Sequence, residues 1–226
     1  MTRAQSTLSI DSLTIHRAGR RVVAGFTLGL AAGEASLLKG PNGVGKSTLL
    51  RALAGFLPVA GGGARLGDVS LARDRAGFQE RVAYAGHLDA VKPQLTVEEN
   101  LALWAALEGT EDRVGPALER FRLDRLAGRP AAQCSAGQKR RLGLARLLVA
   151  RRALWLMDEP TVSLDTASAA TVAEAVRDHL RDGGMALVAT HIALGLEDAR
   201  VVEMTPPAED APEGAPAADP FLDGAW

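Results

Sequence analysis

Cysteine is almost missing from this 226-residue chain. Cys134 stands alone, so no internal disulfide framework is available and a reducing compartment is expected. An excess of charge is missing too. The 26 Lys and Arg nearly cancel the 27 Asp and Glu, and the pI is about 6.4. That balance gives no whole-chain reason to expect nucleic acid as the partner. No apolar stretch approaches the ~18 residues of a membrane span, and Met1 to Ser6 leads into no apolar segment of a signal peptide. These absences predict a soluble intracellular chain. With 47% hydrophobic and 23% charged residues, the length suits one large α/β domain or two small ones.

Short apolar runs alternate with helical stretches. Leu8, Ile10, Leu13 and Ile15 suggest two short edge strands, and Val22 to Leu30 a third. Ala35 to Lys39 reads as a buried strand. A helix continues through Leu49 to Leu57 and stops before Pro58 and a Gly61-Gly62-Gly63 run expected to be flexible. Helices are predicted over Val97 to Glu108, Val114 to Leu123 and Ala136 to Ala150. Ala153 to Met157 and Ala186 to Thr190 read as buried parallel strands, with a helix over Thr166 to Leu180 between them. The pattern argues for an α/β layered sheet. From Pro206 onward the chain carries five acids (Glu209, Asp210, Glu213, Asp219, Asp223), with no Lys or Arg, and is expected to be a flexible tail. Without it, 26 basic residues face 22 acidic ones, so residues 1–205 are mildly basic.

Gly40-Pro41-Asn42-Gly43-Val44-Gly45-Lys46-Ser47 matches the pattern G-x-x-x-x-G-K-[ST] at every fixed position. A predicted strand enters it and a predicted helix, from Thr48, leaves it. Glycines let successive N–H groups point inward at phosphate oxygens, and the helix N-terminus adds partial positive charge. Lys46 is placed to reach the β- and γ-phosphates and Ser47 to ligate Mg²⁺. The segment from Gly40 to Thr48 is therefore expected to bind a nucleoside triphosphate, and the fold is expected to be a P-loop NTPase of RecA-like type.

Leu154-Trp155-Leu156-Met157-Asp158-Glu159 is an apolar strand ending in two acids. Burying the apolar residues puts the carboxylates at the C-terminal edge of the sheet, where open α/β sheets bind ligands. Asp158 is then expected in the Mg²⁺ shell, and Glu159 to orient or deprotonate the water attacking the γ-phosphate. Asp158 lies 112 residues after Lys46, further than a minimal alternating sheet requires, so something is inserted. The helical stretch 87–150 is the expected insertion, leaving a nucleotide core of 1–86 and 151–205. Inside it, Cys134-Ser135-Ala136-Gly137-Gln138 opens a helix. Ser135 is able to cap that helix and its exposed N–H groups make a second anion site. The alternative is a plain cap followed by a solvated basic face, Lys139-Arg140-Arg141.

That segment resembles the L-S-G-G-Q signature of ATP-binding-cassette (ABC) ATPases, with Cys for Leu and Ala for the first Gly. Gln138 precedes Asp158 by 20 residues, a spacing similar to the family's. Ser163-Leu164-Asp165 resembles the family's D-loop, and His191 its switch histidine. The resemblance implies a parallel-sheet core with an antiparallel β edge and an inserted helical subdomain. It implies ATP and Mg²⁺ as cofactors, with ATP sandwiched in a head-to-tail homodimer between one copy's phosphate loop and the other's Ser135, Gly137 and Gln138. His191 would contact the γ-phosphate. The insertion would dock on integral-membrane transporter subunits, which would hold the chain peripherally at the cytoplasmic face of the inner membrane.

Two positions depart from the family pattern. His87 in Tyr84-Ala85-Gly86-His87 stands where a Gln is usual, with Gln94 available seven residues later. Arg17 stands where an adenine-stacking aromatic is usual; its guanidinium either stacks on the base or is a solvated loop residue. Smaller marks narrow the resemblance to the ATP-binding subunits of haem exporters for cytochrome c maturation. They are the 84–87 segment, Val91-Lys92, Leu95-Thr96, Glu99-Asn100-Leu101, the double arginine after the signature, Trp155, and Gly183-Gly184-Met185. That resemblance implies ATP hydrolysis coupled to delivery of haem or release of its carrier. Haem enters only indirectly: His16, His87, His179 and His191 all have other readings. The alternatives are another lipoprotein, lipid or drug exporter, and a soluble cassette ATPase acting on DNA or ribosomes. The latter usually needs two cassettes or a coiled-coil insertion, and the chain has neither.

Overall fold

A computed structural model describes residues 7–192 and 194–207. The tail expected from residue 206, including the apolar Phe221, Leu222 and Trp226, lies outside the described residues except for Pro206 and Pro207.

The strands are β1 (Leu8–Arg17), β2 (Arg20–Leu30), β3 (Ala35–Lys39), β4 (Gly61–Leu66), β5 (Val69–Ser70), β6 (Val82–Ala85), β7 (Leu154–Asp158), β8 (Met185–Ala189) and β9 (Arg200–Glu203). The helices are α1 (Lys46–Leu53), α2 (Arg75–Gln79), α3 (Val97–Glu108), α4 (Val114–Arg120), α5 (Ala136–Ala150) and α6 (Thr166–Arg181). An antiparallel sheet runs β2-β1-β4-β5, and a separate sheet runs β6-β7-β8-β3-β9. Every pairing in the second sheet is parallel. No helix among the described residues is long and apolar enough to cross a membrane.

The inner strands β7, β8 and β3 are buried on both faces, and side-chain alternation divides the interior in two. Leu154 and Leu156 of β7 and Met185 and Leu187 of β8 join α1 and the antiparallel sheet in one apolar cluster. Trp155 and Met157, with Ala186 and Val188, join α3, α4, α5 and α6 in the other. At ~25 cal/mol per Å² of apolar surface, each such layer contributes tens of kcal/mol before chain entropy is counted. Between β6 and β7 the regular elements are helices and short 3₁₀ turns, with a single antiparallel bridge between Thr96 and Pro130. Thr96 and Glu99 close a capping box at the start of α3, and Gly109 ends it in the left-handed conformation.

Three local expectations are corrected. The two edge strands are one: β1 runs through Ser12, whose φ of 47° marks an irregularity in the register with β2. The Gly61-Gly62-Gly63 run is strand, paired with Asp11 and Thr14 of β1. Gly62 has φ 71°, and a Cβ there would lie 2.2 Å from the Ser12 carbonyl oxygen, so glycine is required by the bulge it faces. The first helix begins at Lys46 and ends at Leu53, because Gly55 turns left-handed at φ 76°.

Candidate nucleotide site

β3 delivers the chain to a loop that turns into α1 beside the C-terminal ends of β7 and β8. The loop cannot be built with side chains throughout. Gly45 has φ 105°, and a Cβ would sit 2.9 Å from the Val22 carbonyl oxygen. As the N-cap of α1 it supplies no side-chain hydrogen bond, so the first N–H groups of that helix are not taken up by a capping side chain. A cleft of about 420 Å³ opens over them. Asn42, Gly43 and the segment Gly45 to Thr48 form one wall, Asp158, Glu159 and His191 the second, and Arg17, Ala18 and Val22 the third.

Lys46 and Asp158 in this cleft are held by partners within the chain. Lys46 Nζ donates to Gly40 O at 2.7 Å and Pro41 O at 3.2 Å, and lies 3.1 Å from His191 Nε2. An ammonium is donor only, so Nε2 accepts and the imidazole proton sits on Nδ1. Ser47 Oγ donates to Asp158 Oδ1 at 3.0 Å. That hydroxyl–carboxylate pair offers two hard oxygens to a divalent cation, the donor type Mg²⁺ takes when phosphates and water fill most of its shell. Glu159 follows with φ 46°, its N–H donating to Ala189 O at 2.9 Å. Its Oε1 is 3.5 Å from His191 Nε2 and is buried without a hydrogen-bond partner. An orphaned buried carboxylate oxygen beside a phosphate cradle suits a proton acceptor.

The remaining predicted residues are placed elsewhere. Val44 is buried under the loop, while Gly40 and Pro41 contribute carbonyls to Lys46. Ser135 caps α5, accepting from Gln138 N at 3.2 Å, while its own N–H donates to Gln138 Oε1 at 2.8 Å. A Cβ on Gly137 would lie 3.0 Å from Ser163 O, so the start of α5 abuts the Ser163-Leu164-Asp165 turn. Asp165 caps α6 by accepting from Ser168 N at 2.7 Å, which holds its carboxyl below the usual carboxylate range. None of Ser135, Gly137 or Gln138 lines the cleft. His87 is exposed on the loop after β6 and is likewise outside the cleft lining.

Sequence reasoning missed Arg140. It is not part of a solvated basic face: only 5% of it is exposed, and it donates to the backbone of the acid pair. A run Lys139-Arg140-Arg141 contains no signal that separates a buried guanidinium from two more accessible neighbours. Ala18 and Val22 were also missed, since their contribution to the cleft depends on how β1 and β2 are joined.

A phosphate cradle at the end of a parallel strand, an acid pair at the end of a second and a histidine after a third define an ATP-binding P-loop protein. The ABC transporter profile matches residues 23–162, and the chain belongs to that family. Within it the chain belongs with the cytochrome c biogenesis ATP-binding export proteins, CcmA. It is 51% identical to CcmA of Rhodobacter capsulatus over 97% of this chain and 98% of that one. It is 52% identical to CcmA of Ruegeria pomeroyi over 88% and 92%. A solved structure titled as the ATP-binding subunit of an ABC transporter superposes with a TM-score of 0.80 at 26% identity, covering 87% of this chain and 85% of the other.

Proposed function

We propose that this chain is the ATPase subunit of the export complex that serves cytochrome c biogenesis. It works as a pair of copies with integral-membrane subunits that hold it at the cytoplasmic face, and couples hydrolysis to delivery of haem or release of its carrier. The nucleotide core comprises residues 1–86 and 151–205, with 87–150 as the helical insertion. What carries the ATPase reading is one observation: Lys46, Ser47, Asp158, Glu159 and His191 all line a single cleft. Full-length likeness to the CcmA proteins supports the export role.

The α1 N–H groups and Lys46 bind the β- and γ-phosphates, Lys46 exchanging protein acceptors for phosphate oxygens. Ser47 and Asp158 hold Mg²⁺, which when bound offsets negative charge on the phosphate oxygens. Glu159 Oε1 accepts a proton from water as the water oxygen bonds to the γ-phosphorus. The bond from that phosphorus to the β–γ bridging oxygen breaks, and ADP departs. His191, no longer held by Lys46, carries its hydrogen on Nε2 instead of Nδ1 and donates it to a γ-phosphate oxygen. Ser135, Gly137 and Gln138 of a second copy close the site, and His87 steadies water from the loop after β6.

The test is to replace the chromosomal gene with its Glu159→Gln form. Loss of a positioned base costs ~10²–10⁴-fold in rate, so the purified variant retains bound ATP with hydrolysis lowered by that factor. Cells carrying it lack haem-stained c-type cytochromes. Normal hydrolysis would remove Glu159 from its role, and normal cytochrome c with hydrolysis blocked would assign the chain to a different exporter.

A further inference from the structure

We propose that Arg140 is a positioning residue for hydrolysis. From α5 it clamps the backbone that carries Glu159 and ties it to the loop leading into the helical insertion. The inference rests on the reading of Glu159 as the proton acceptor.

Arg140 is charged, almost fully buried, and makes no contact of its own with the cleft. Its Nη2 donates to Asp158 O at 3.0 Å and Glu159 O at 2.8 Å, and its Nε donates to Pro160 O at 3.2 Å. Three consecutive carbonyls thus converge on one guanidinium. The peptide between them is not one a chain adopts freely: Glu159 has φ 46°, and non-glycine residues hold such conformations only where the surroundings impose them. Nη1 faces the other way, donating to Gly86 O at 2.7 Å and Asp89 Oδ1 at 2.9 Å. Asp89 supplies the opposite charge that makes burial of the guanidinium tolerable. Arg146, further along α5, donates to Tyr84 O at the end of β6.

The geometry has a definite consequence. A planar fork with five N–H groups serves three carbonyls in one direction and a carbonyl plus a carboxylate in the other. A lysine ammonium has three hydrogens and no fixed plane, so Arg140→Lys keeps the charge and loses the clamp. The carbonyls of the acid-pair turn are then free to relax from the strained conformer, and the Glu159 carboxylate moves with them. A misplacement of ~1 Å at a reacting group costs up to about 10²-fold in rate. ATP binding depends on Lys46, Ser47 and the α1 N–H groups, which Arg140 does not touch.

The experiment compares full-length wild type, Arg140→Lys, Arg140→Gln, Glu159→Gln and the double variant Arg140→Gln/Glu159→Gln. It measures kcat and KM for ATP, binding of a fluorescent ATP analogue, and thermal melting. Arg140→Lys is expected to melt a few degrees below wild type but to bind nucleotide within about threefold, with kcat lowered roughly 10–100-fold. The double variant is expected to be no slower than Glu159→Gln alone, because a misplaced base and an absent base are the same loss. Wild-type kcat in Arg140→Lys and Arg140→Gln, with Glu159→Gln inactive, would overturn the proposal and leave the role of Glu159 standing. Losses that multiply in the double variant would show that Arg140 acts on something other than Glu159, and would also overturn it. Wild-type kcat in Glu159→Gln would overturn both readings together.

Discussion

Two helices of this chain begin with opposite arrangements, one with a bare start over a cleft and the other with a closed cap. α1 starts from a left-handed glycine with no side-chain cap. Its donors open into a cleft where Lys46, Ser47 and the acid pair already stand. α5 starts from Ser135 with a capping box, so Ser135 and Gln138 satisfy two of its donors within the helix. Ser135 and Ala136 are exposed, and Gly137 abuts the Ser163–Asp165 turn. The first arrangement leaves the helix start without a capping side chain, which under the proposed function keeps its donors for phosphate oxygens. The second is stable by itself and can still add a ligand: a serine hydroxyl that accepts from Gln138 N keeps its hydrogen for another acceptor.

Three substitutions sharpen or break this contrast. Ser135→Arg has the largest expected effect. It fills the exposed start of α5 with a long cation, so the ATP-dependent dimer of the hydrolysis-blocked protein is lost while ATP binding to the single copy persists. Light scattering that finds the same dimer would mean α5 has no share in the site. Lys46→Ala comes next, removing a charge-assisted hydrogen bond worth ~1.5–3 kcal/mol, so ATP affinity falls roughly 10–100-fold. Calorimetric titration showing unchanged affinity would put the nucleotide outside the α1 cleft. Ser135→Ala is the mildest. Deleting an N-cap costs ~1 kcal/mol, which lowers the melting temperature by about 2–4 °C in a chain of this size. A melting temperature identical to wild type would show that the box contributes nothing to α5.

Much of the site was legible because its chemistry is local. The loop from Gly40 to Ser47 and the acid pair at the end of β7 are read from contiguous residues whose spacing fixes their geometry. α3 and α5 were bounded correctly because a capping box opens each of them, and β3 because its apolar run ends at the glycine loop. What stayed hidden depends on partners distant in sequence. A glycine triplet looks like a flexible linker until Ser12, about 50 residues earlier, is seen to bulge against it. Nothing near Arg140 announces that Gly86, Asp89 and Asp158 to Pro160 will surround it. α2, β5 and β9 are too short to show a period, and β9 is paired by β3 from across the chain.

The alternation along β7 makes this strand a ruler for the acid pair at its end. Leu154 and Leu156 are committed to one apolar layer, and Trp155 and Met157 to the other. All five residues are buried, and neighbours on both sides fix their pairing. A one-residue insertion just before Trp155 would turn its indole into the layer that holds Leu154, Leu156, Met185 and Leu187. It would also advance Asp158 by one step, ~3.3 Å, out of reach of Ser47. The distance between a serine and a carboxylate at the sheet's edge is therefore graduated by the bulk of a tryptophan three residues away.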